Sequence, residues 1–290
     1  MTAAIPPKLP SAARHKLRGR AGFVAAARSE FTKLRSVRST YWTLLTMFAV
    51  CVLLGGLFSW AQVQALANVP PGALAYEAAG IRATAASTSL AGLVAGQLVI
   101  IVLGALSVTS EYTTGMIRTS LTVMPRRWTL FAAKGTVVGL VALVTGLITS
   151  FAAFLTGQAI MSIRHVNTGL GQPEVLRTVV GGGLFLAVCG LLAFGIGAML
   201  RYTSGAITAG IGLMFVVWIL SNFLPSPPSG WFGKADISKW IPLNAGSAIW
   251  QSPGSNGIHS FSPWAGFAVF CGYAMIAVLG GLIVFLHHDA

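Results

Sequence analysis

Charge is what this sequence lacks most. Of its 290 residues, 9% are Asp, Glu, Lys or Arg, and only six are acidic. An average soluble domain carries about 25% charged residues. Apolar residues make up 55% and mean hydropathy is +0.77. A soluble globule of this size could not hide so much apolar surface, so part of its solvent is lipid. Cysteine is scarce too. Cys51, Cys189 and Cys271 stand far apart, each in an apolar run, and no CxxC occurs. Neither a disulfide framework nor a zinc site is suggested, and the three read as packing residues.

Enzyme signatures are missing as well. There is no HExxH and no GxSxG. The carboxylates Glu30, Glu77, Glu111, Glu174, Asp236 and Asp289 include no close pair, and the histidines (His15, His165, His259, His287, His288) lie in loops or at segment edges. His287–His288 reads as a polar helix stop, since a metal site would need further ligands. No GxxxxGK[ST] is present, so the chain cannot bind ATP in the Walker manner by itself. No acidic residue falls inside an apolar span, which argues against proton- or sodium-coupled transport, because coupling groups sit within the membrane.

What the sequence has is long apolar runs. Crossing the hydrocarbon as a helix takes roughly 20 residues. Intervals free of charge, save for Lys134 in the third, predict spans at Tyr41–Trp60, Ser89–Thr109, Leu130–Leu155, Thr178–Leu200, Gly205–Leu224 and Trp264–Leu286. They do not alternate polar with apolar as barrel strands would. The fold class is therefore an all-α integral membrane protein with six transmembrane helices. The fourth and fifth are separated only around Arg201 and Thr203, and could instead form one bent element. Trp60, Trp128, Trp218, Trp240 and Trp264 fall mostly near span ends, as interfacial aromatics should. Small-residue pairs four apart (Gly92/Gly96, Gly135/Gly139, Ala193/Gly197, Ala277/Gly281) suit close helix packing in lipid.

The formal net charge is +13, and nine of the nineteen basic residues precede Tyr41. Beside a membrane span, such a patch points to anionic lipid and the cytoplasm, not to nucleic acid. With the N-terminus inside, fourteen basic residues lie inside and five outside, which places both termini in the cytoplasm. Residues 1–20 read as a disordered basic tail and 21–290 as one membrane domain. Ala21–Ser39 has Phe23, Val24, Ala27, Phe31 and Leu34 at near-helical spacing among Arg28, Lys33, Arg35 and Arg38. That predicts a helix in the interface, its apolar side in lipid and its basic side toward headgroups. In the outside stretch Pro225–Pro263, prolines stop the fifth helix. Ile237–Trp250 is apolar enough to dip back as a short re-entrant or interfacial helix, or to run as an ordinary loop.

The link between the second and third spans is the most informative segment. Ser110 is placed to cap a short helix whose positive end suits Glu111. Glu111 and Arg118, seven apart, would share one of its faces. Pro125 ends it, and Arg126 and Arg127 anchor the return into the membrane. EYTTGMIRTSLTVMPRRWTLFAAK resembles a segment of type-2 ABC transporter permeases, through Glu111, Gly115, Arg118, Leu121, Arg126, Arg127 and Lys134 in order. Met116 departs from it, many members having Thr there. Ser29–Ser36 and Asn244-Ala245-Gly246 are similar to the same family.

The resemblance implies a membrane subunit that pairs with a second permease chain, homo- or heteromeric, in the plasma membrane. Each copy would dock a separate ATP-binding cassette subunit. ATP and Mg would be held there, with no cofactor on this chain. Glu111, Tyr112, Gly115, Arg118, Arg126 and Arg127 would couple to that subunit. Ala21–Ser39, with Glu30, Phe31, Lys33 and Arg35, would be the connecting helix. Membrane lipids are further partners. Spans with so little charge suit an amphipathic or apolar cargo (drug, peptide or lipid) moved outward. The alternatives are an integral membrane enzyme or a non-transporting scaffold or immunity protein. An exposed Glu111–Arg118 pair would contribute only about 0–1 kcal/mol to stability, so its role is expected in coupling and not in folding.

Overall fold

In lipid every backbone polar group must find its partner inside the segment, and the apolar runs accordingly close into helices. The computed structural model describes residues 22–116, 126–223, 238–252 and 261–287, and no strand occurs among them. The helices are α1 (Phe23–Ser36), α2 (Arg38–Ala67), α3 (Leu74–Ser89), α4 (Leu93–Thr113), α5 (Arg127–Met161), α6 (Pro173–Leu200), α7 (Thr203–Ile211), α8 (Val217–Phe223), α9 (Pro242–Ser247) and α10 (Pro263–His287). Six stretches are long and apolar enough to cross a membrane. The tail 1–20, Arg118, Pro125 and much of Pro225–Pro263 lie outside the described residues.

The spans differ from the charge-free intervals in three ways. First, they are longer. α2 has 30 residues and α5 has 35, about 45 and 52 Å at 1.5 Å per residue, well beyond the hydrocarbon's ~30 Å. Trp60 therefore lies within α2, not at its end. Second, the predicted span Ser89–Thr109 starts at a corner. α3 ends at Ser89, the chain turns at Leu90–Gly92, and α4 continues through Thr113. The corner is pressed against α2: a Cβ on Gly92 would lie 2.3 Å from the Cys51 carbonyl oxygen, and one on Gly55 would lie 2.1 Å from that of Ser89. Third, the fourth and fifth spans are separate helices. Arg201 breaks them in the left-handed region (φ 58°). The fifth is itself interrupted by a π-turn, Gly212–Val216, between α7 and α8.

α6 is the axis of the bundle, packing along α4, α5 and α10. It is 78% buried over its most apolar window, against 17% for the fifth span. Small residues make the contacts. A Cβ on Gly195 would meet the Ala277 carbonyl carbon at 2.4 Å, and one on Gly104 the Gly190 oxygen at 2.4 Å. The main core runs through Leu93, Ile100, Phe185, Leu186, Leu192 and Phe270. A second cluster (Ala26, Val108, Phe131, Phe194, Phe285) lies at the α1 end, and a third (Val63, Leu66, Ile81, Met161, Val166) joins α2, α3 and α5 at the far end. Ile241–Trp250 is not an ordinary loop. It is buried throughout apart from half-buried Asn244, with Gly246 between Phe185 and Phe270 and the Trp250 ring tilted against Phe185, centroids 6.3 Å apart. This segment around α9 forms a wedge between α6 and α10.

Candidate coupling site

α1 and α2 are set apart by one extended residue, Val37 (φ −86°, ψ 111°). The break lets α1 turn away from α2 and lie across α5. One α1 face carries Ala26 and Glu30, four residues apart and therefore stacked; they are 1% and 4% exposed. Phe23, Phe31, Arg28 and Arg35 are exposed. Besides the apolar and basic sides expected from the sequence, α1 therefore has a buried face. Its small and acidic face is packed into the protein, because Ala26 allows close approach and Glu30 finds a cation there.

That cation belongs to a closed ring of four charges. Lys33 Nζ lies 2.6 Å from Glu30 Oε1 and 2.9 Å from Glu111 Oε1. Lys134 Nζ lies 2.6 Å from Glu30 Oε2 and 2.8 Å from Glu111 Oε1. Signs alternate around the ring and cancel. The Lys134 ammonium places its third donor 3.3 Å from the Ser107 carbonyl, so its hydrogen-bonding capacity is used. Glu30, Glu111 and Lys134 are buried, while the Lys33 side chain is about one-third exposed. Burial opposes the Lys33 ammonium, but hydrogen bonds to Glu30 and Glu111 outweigh it and hold its pKa above the usual lysine value. Buried ion pairs are near neutral in net stability, yet removing one partner costs about 3–5 kcal/mol, because the survivor is left uncompensated. The ring therefore fixes α1 against the ends of α4 and α5.

The neighbouring residues extend the joint. Tyr112 lies under the Arg201 guanidinium, 5.4 Å from its ring centre. Arg201 also donates to the Val284 carbonyl at 2.6 Å, one of the last α10 carbonyls, which have no partner within the helix. Thr203 and Thr109 hydroxyls meet at 3.0 Å. The ends of α4, α6, α7 and α10 are thus tied beside the ring. A cleft of about 430 Å³ opens next to it, lined by Lys33, Thr40, Thr43, Ser107, Ser110 and Met116 among others.

Two expectations about the link need correction. Ser110 and Glu111 do not start a short helix. They sit in the last turn of α4, where the Ser110 hydroxyl donates to Leu106 O. The helix ends at Thr113 with Thr114 as its C-cap, Gly115 takes φ 69°, and Met116 is again helical. The α4 path is thus interrupted at Gly115, and Arg118, expected to share a face with Glu111, lies outside the described residues. Nor is Glu111 an exposed charge: it is 7% exposed and bound by two lysines. Of the predicted residues, Glu30, Lys33 and Glu111 come together. Tyr112 joins Arg201, Gly115 forms the break, Arg126 and Arg127 begin α5, and Phe31 and Arg35 face outward on α1. The ring residue overlooked as a site is Lys134. Its signal was present, since it is the one Lys or Arg inside the six predicted spans.

Residues 27–221 match the family model described as ABC-2 family transporter protein. The match covers more than half of the chain, and it includes all four ring residues. No curated protein matches the chain.

Proposed function

This chain belongs to the ABC-2 transporter family, and on that premise we propose that it is the membrane-spanning subunit of an ATP-driven exporter. A separate ATP-binding cassette subunit docks on the link that follows Thr114, and it holds ATP and Mg. Two permease chains and two such subunits form the working unit, in the plasma membrane, with both termini cytoplasmic. The cargo is an amphipathic or apolar molecule moved outward between the two permease chains.

The observation that carries this reading is the charge ring. A motor docked on the link at Gly115 moves only what is rigidly joined to that link. At Gly115 the backbone leaves the α4 path (φ 69°). One turn before it, Glu111 is locked through Lys33 to α1 and through Lys134 to α5. Displacement of the link is thereby passed to three helices at once. The basic excess at the α1 end supports the orientation. The spans hold few buried charges away from this end, which suits a cargo without strong charge.

The test is reconstitution. The chain is co-expressed with the P-loop ATPase that co-purifies with it, and the complex is placed in liposomes loaded with fluorescent amphiphiles. The expected result is a native mass of two plus two chains and ATP-dependent movement of an amphiphile away from the ATPase side. A chain that forms no complex with an ATPase, or moves cargo without ATP, would defeat the proposal.

A further inference from the structure

α5 and α10 each pack along α6, but they scarcely touch one another. Phe131 and Phe285 bring them together at the α1 end, ring centroids 5.5 Å apart. Beyond that contact the helices leave a groove of about 680 Å³ floored by α6. Its walls are almost wholly apolar, with Thr136 and Cys271 the exceptions, and include Ala132, Leu140, Leu191 and Met275.

The groove has a defined depth. It runs from Phe131 to Leu143 on α5, from Leu184 to Phe194 on α6, and from Cys271 to Leu282 on α10. These stretches are about 18, 15 and 16 Å long at 1.5 Å per residue. Half of a ~30 Å hydrocarbon core is about 15 Å. Each stretch also begins four to six residues from its helix's α1 end. All three walls therefore register on the same single leaflet. One turn nearer the α1 end, α5 starts at Arg127 after its N-cap Arg126 and carries the 56%-exposed Trp128, and α10 ends at the exposed His287. An interfacial aromatic and basic groups thus stand where a headgroup would lie. A second helix is a poorer occupant. Over 18 Å, a helix about 10 Å across takes roughly 1,400 Å³, about twice the groove.

We propose that this groove is a binding site for a resident anionic phospholipid of the leaflet at the α1 end, with an acyl chain between α5 and α10 and the phosphate against Arg126 and Arg127. The site lies apart from the charge ring and does not depend on the transport reading. The lipid fills a wall that α5 and α10 leave open, and it supports α6 from the side.

Native mass spectrometry tests this on the protein purified in mild detergent, stripped of lipid, and exposed to phosphatidylglycerol or phosphatidylcholine with identical chains. The expected result is about one phosphatidylglycerol retained per chain, with phosphatidylcholine held about tenfold less well. Ala132→Phe fills the groove from within, and Thr136→Phe does so from an exposed position. Both should abolish retention while helix content and elution stay unchanged. The double variant Arg126→Gln/Arg127→Gln should bind the two lipids alike. Equal retention of both lipids by the natural chain overturns the proposal. So does undiminished retention in both groove-filled variants. Groove filling that changes only the number of chains assigns the groove to a second copy. Release of the bound lipid during ATP turnover, with its appearance in the opposite leaflet, makes it cargo and not a resident.

Discussion

Lys134 and Glu30, 104 residues apart in the chain, meet at 2.6 Å in a buried ion pair. The contact fixes the first helix to the third span, and each partner touches a second charge of the opposite sign. A ring built this way responds to substitution as a unit. In a double-mutant cycle, Glu30→Gln and Lys134→Met should each destabilise, while the pair together destabilises by less than the sum, by about 1–3 kcal/mol. Thermal or chemical unfolding in detergent measures the cycle. Additive effects would mean that the two side chains do not interact.

Glu111→Ala should damage folding as well as coupling. It leaves Lys33 and Lys134 to share Glu30 alone, at a cost of about 3–5 kcal/mol. Lower expression and a lower melting temperature are expected, with Glu111→Gln milder because its carbonyl still accepts. A Glu111→Ala chain of normal stability would show that the carboxylate acts only in coupling.

Two glycines provide a matched pair for packing. On Gly195 a Cβ would strike the α10 backbone at Ala277, whereas on Gly272 nothing lies within 4 Å. Gly195→Ala should push α6 and α10 apart and destabilise by about 1–3 kcal/mol. Gly272→Ala should be neutral or stabilise by up to about 1 kcal/mol, since alanine favours the helix. Equal melting temperatures for the two variants would contradict the close approach.

Arg201 combines a strained backbone with a useful side chain. Arg201→Gly and Arg201→Ala both lose the bond to Val284 and the contact with Tyr112, but only alanine keeps the left-handed penalty of about 1–2 kcal/mol. The glycine variant should therefore melt higher than the alanine variant. The reverse order would show that φ 58° is not held in the native state.

Orientation is tested by single cysteines at exposed sites on opposite ends of the bundle. The natural cysteines are buried or half-buried, so background labelling is expected to be low. On intact cells an impermeant thiol reagent should reach Gly171→Cys and spare Ser36→Cys until the membrane is opened. Labelling of Ser36→Cys from outside would invert the topology.

The sequence by itself determined the membrane class, the six spans and the family, because each rests on local chemistry. A run of some 20 apolar residues can satisfy its backbone in lipid only as a helix, and the small-residue pairs announce close packing wherever they occur. Span lengths were less legible. Residues beyond the hydrocarbon still pack on neighbouring helices, as Val63, Leu66 and Met161 do, and charge-free intervals do not record that. The corner at Leu90–Gly92 was hidden in the same way, since it depends on Gly92 touching Cys51 some forty residues earlier. Glu111 stood out in the sequence but with the wrong surroundings, because local pattern suggested a new helix where α4 simply continues. Only the tertiary structure decided that Glu30, Lys33, Glu111 and Lys134 form one neutral ring. Two of its four contacts, Lys33–Glu111 and Lys134–Glu30, span 78 and 104 positions. No periodicity along a chain carries such pairings; they exist because three helix ends meet where water is scarce and each buried charge must find its opposite.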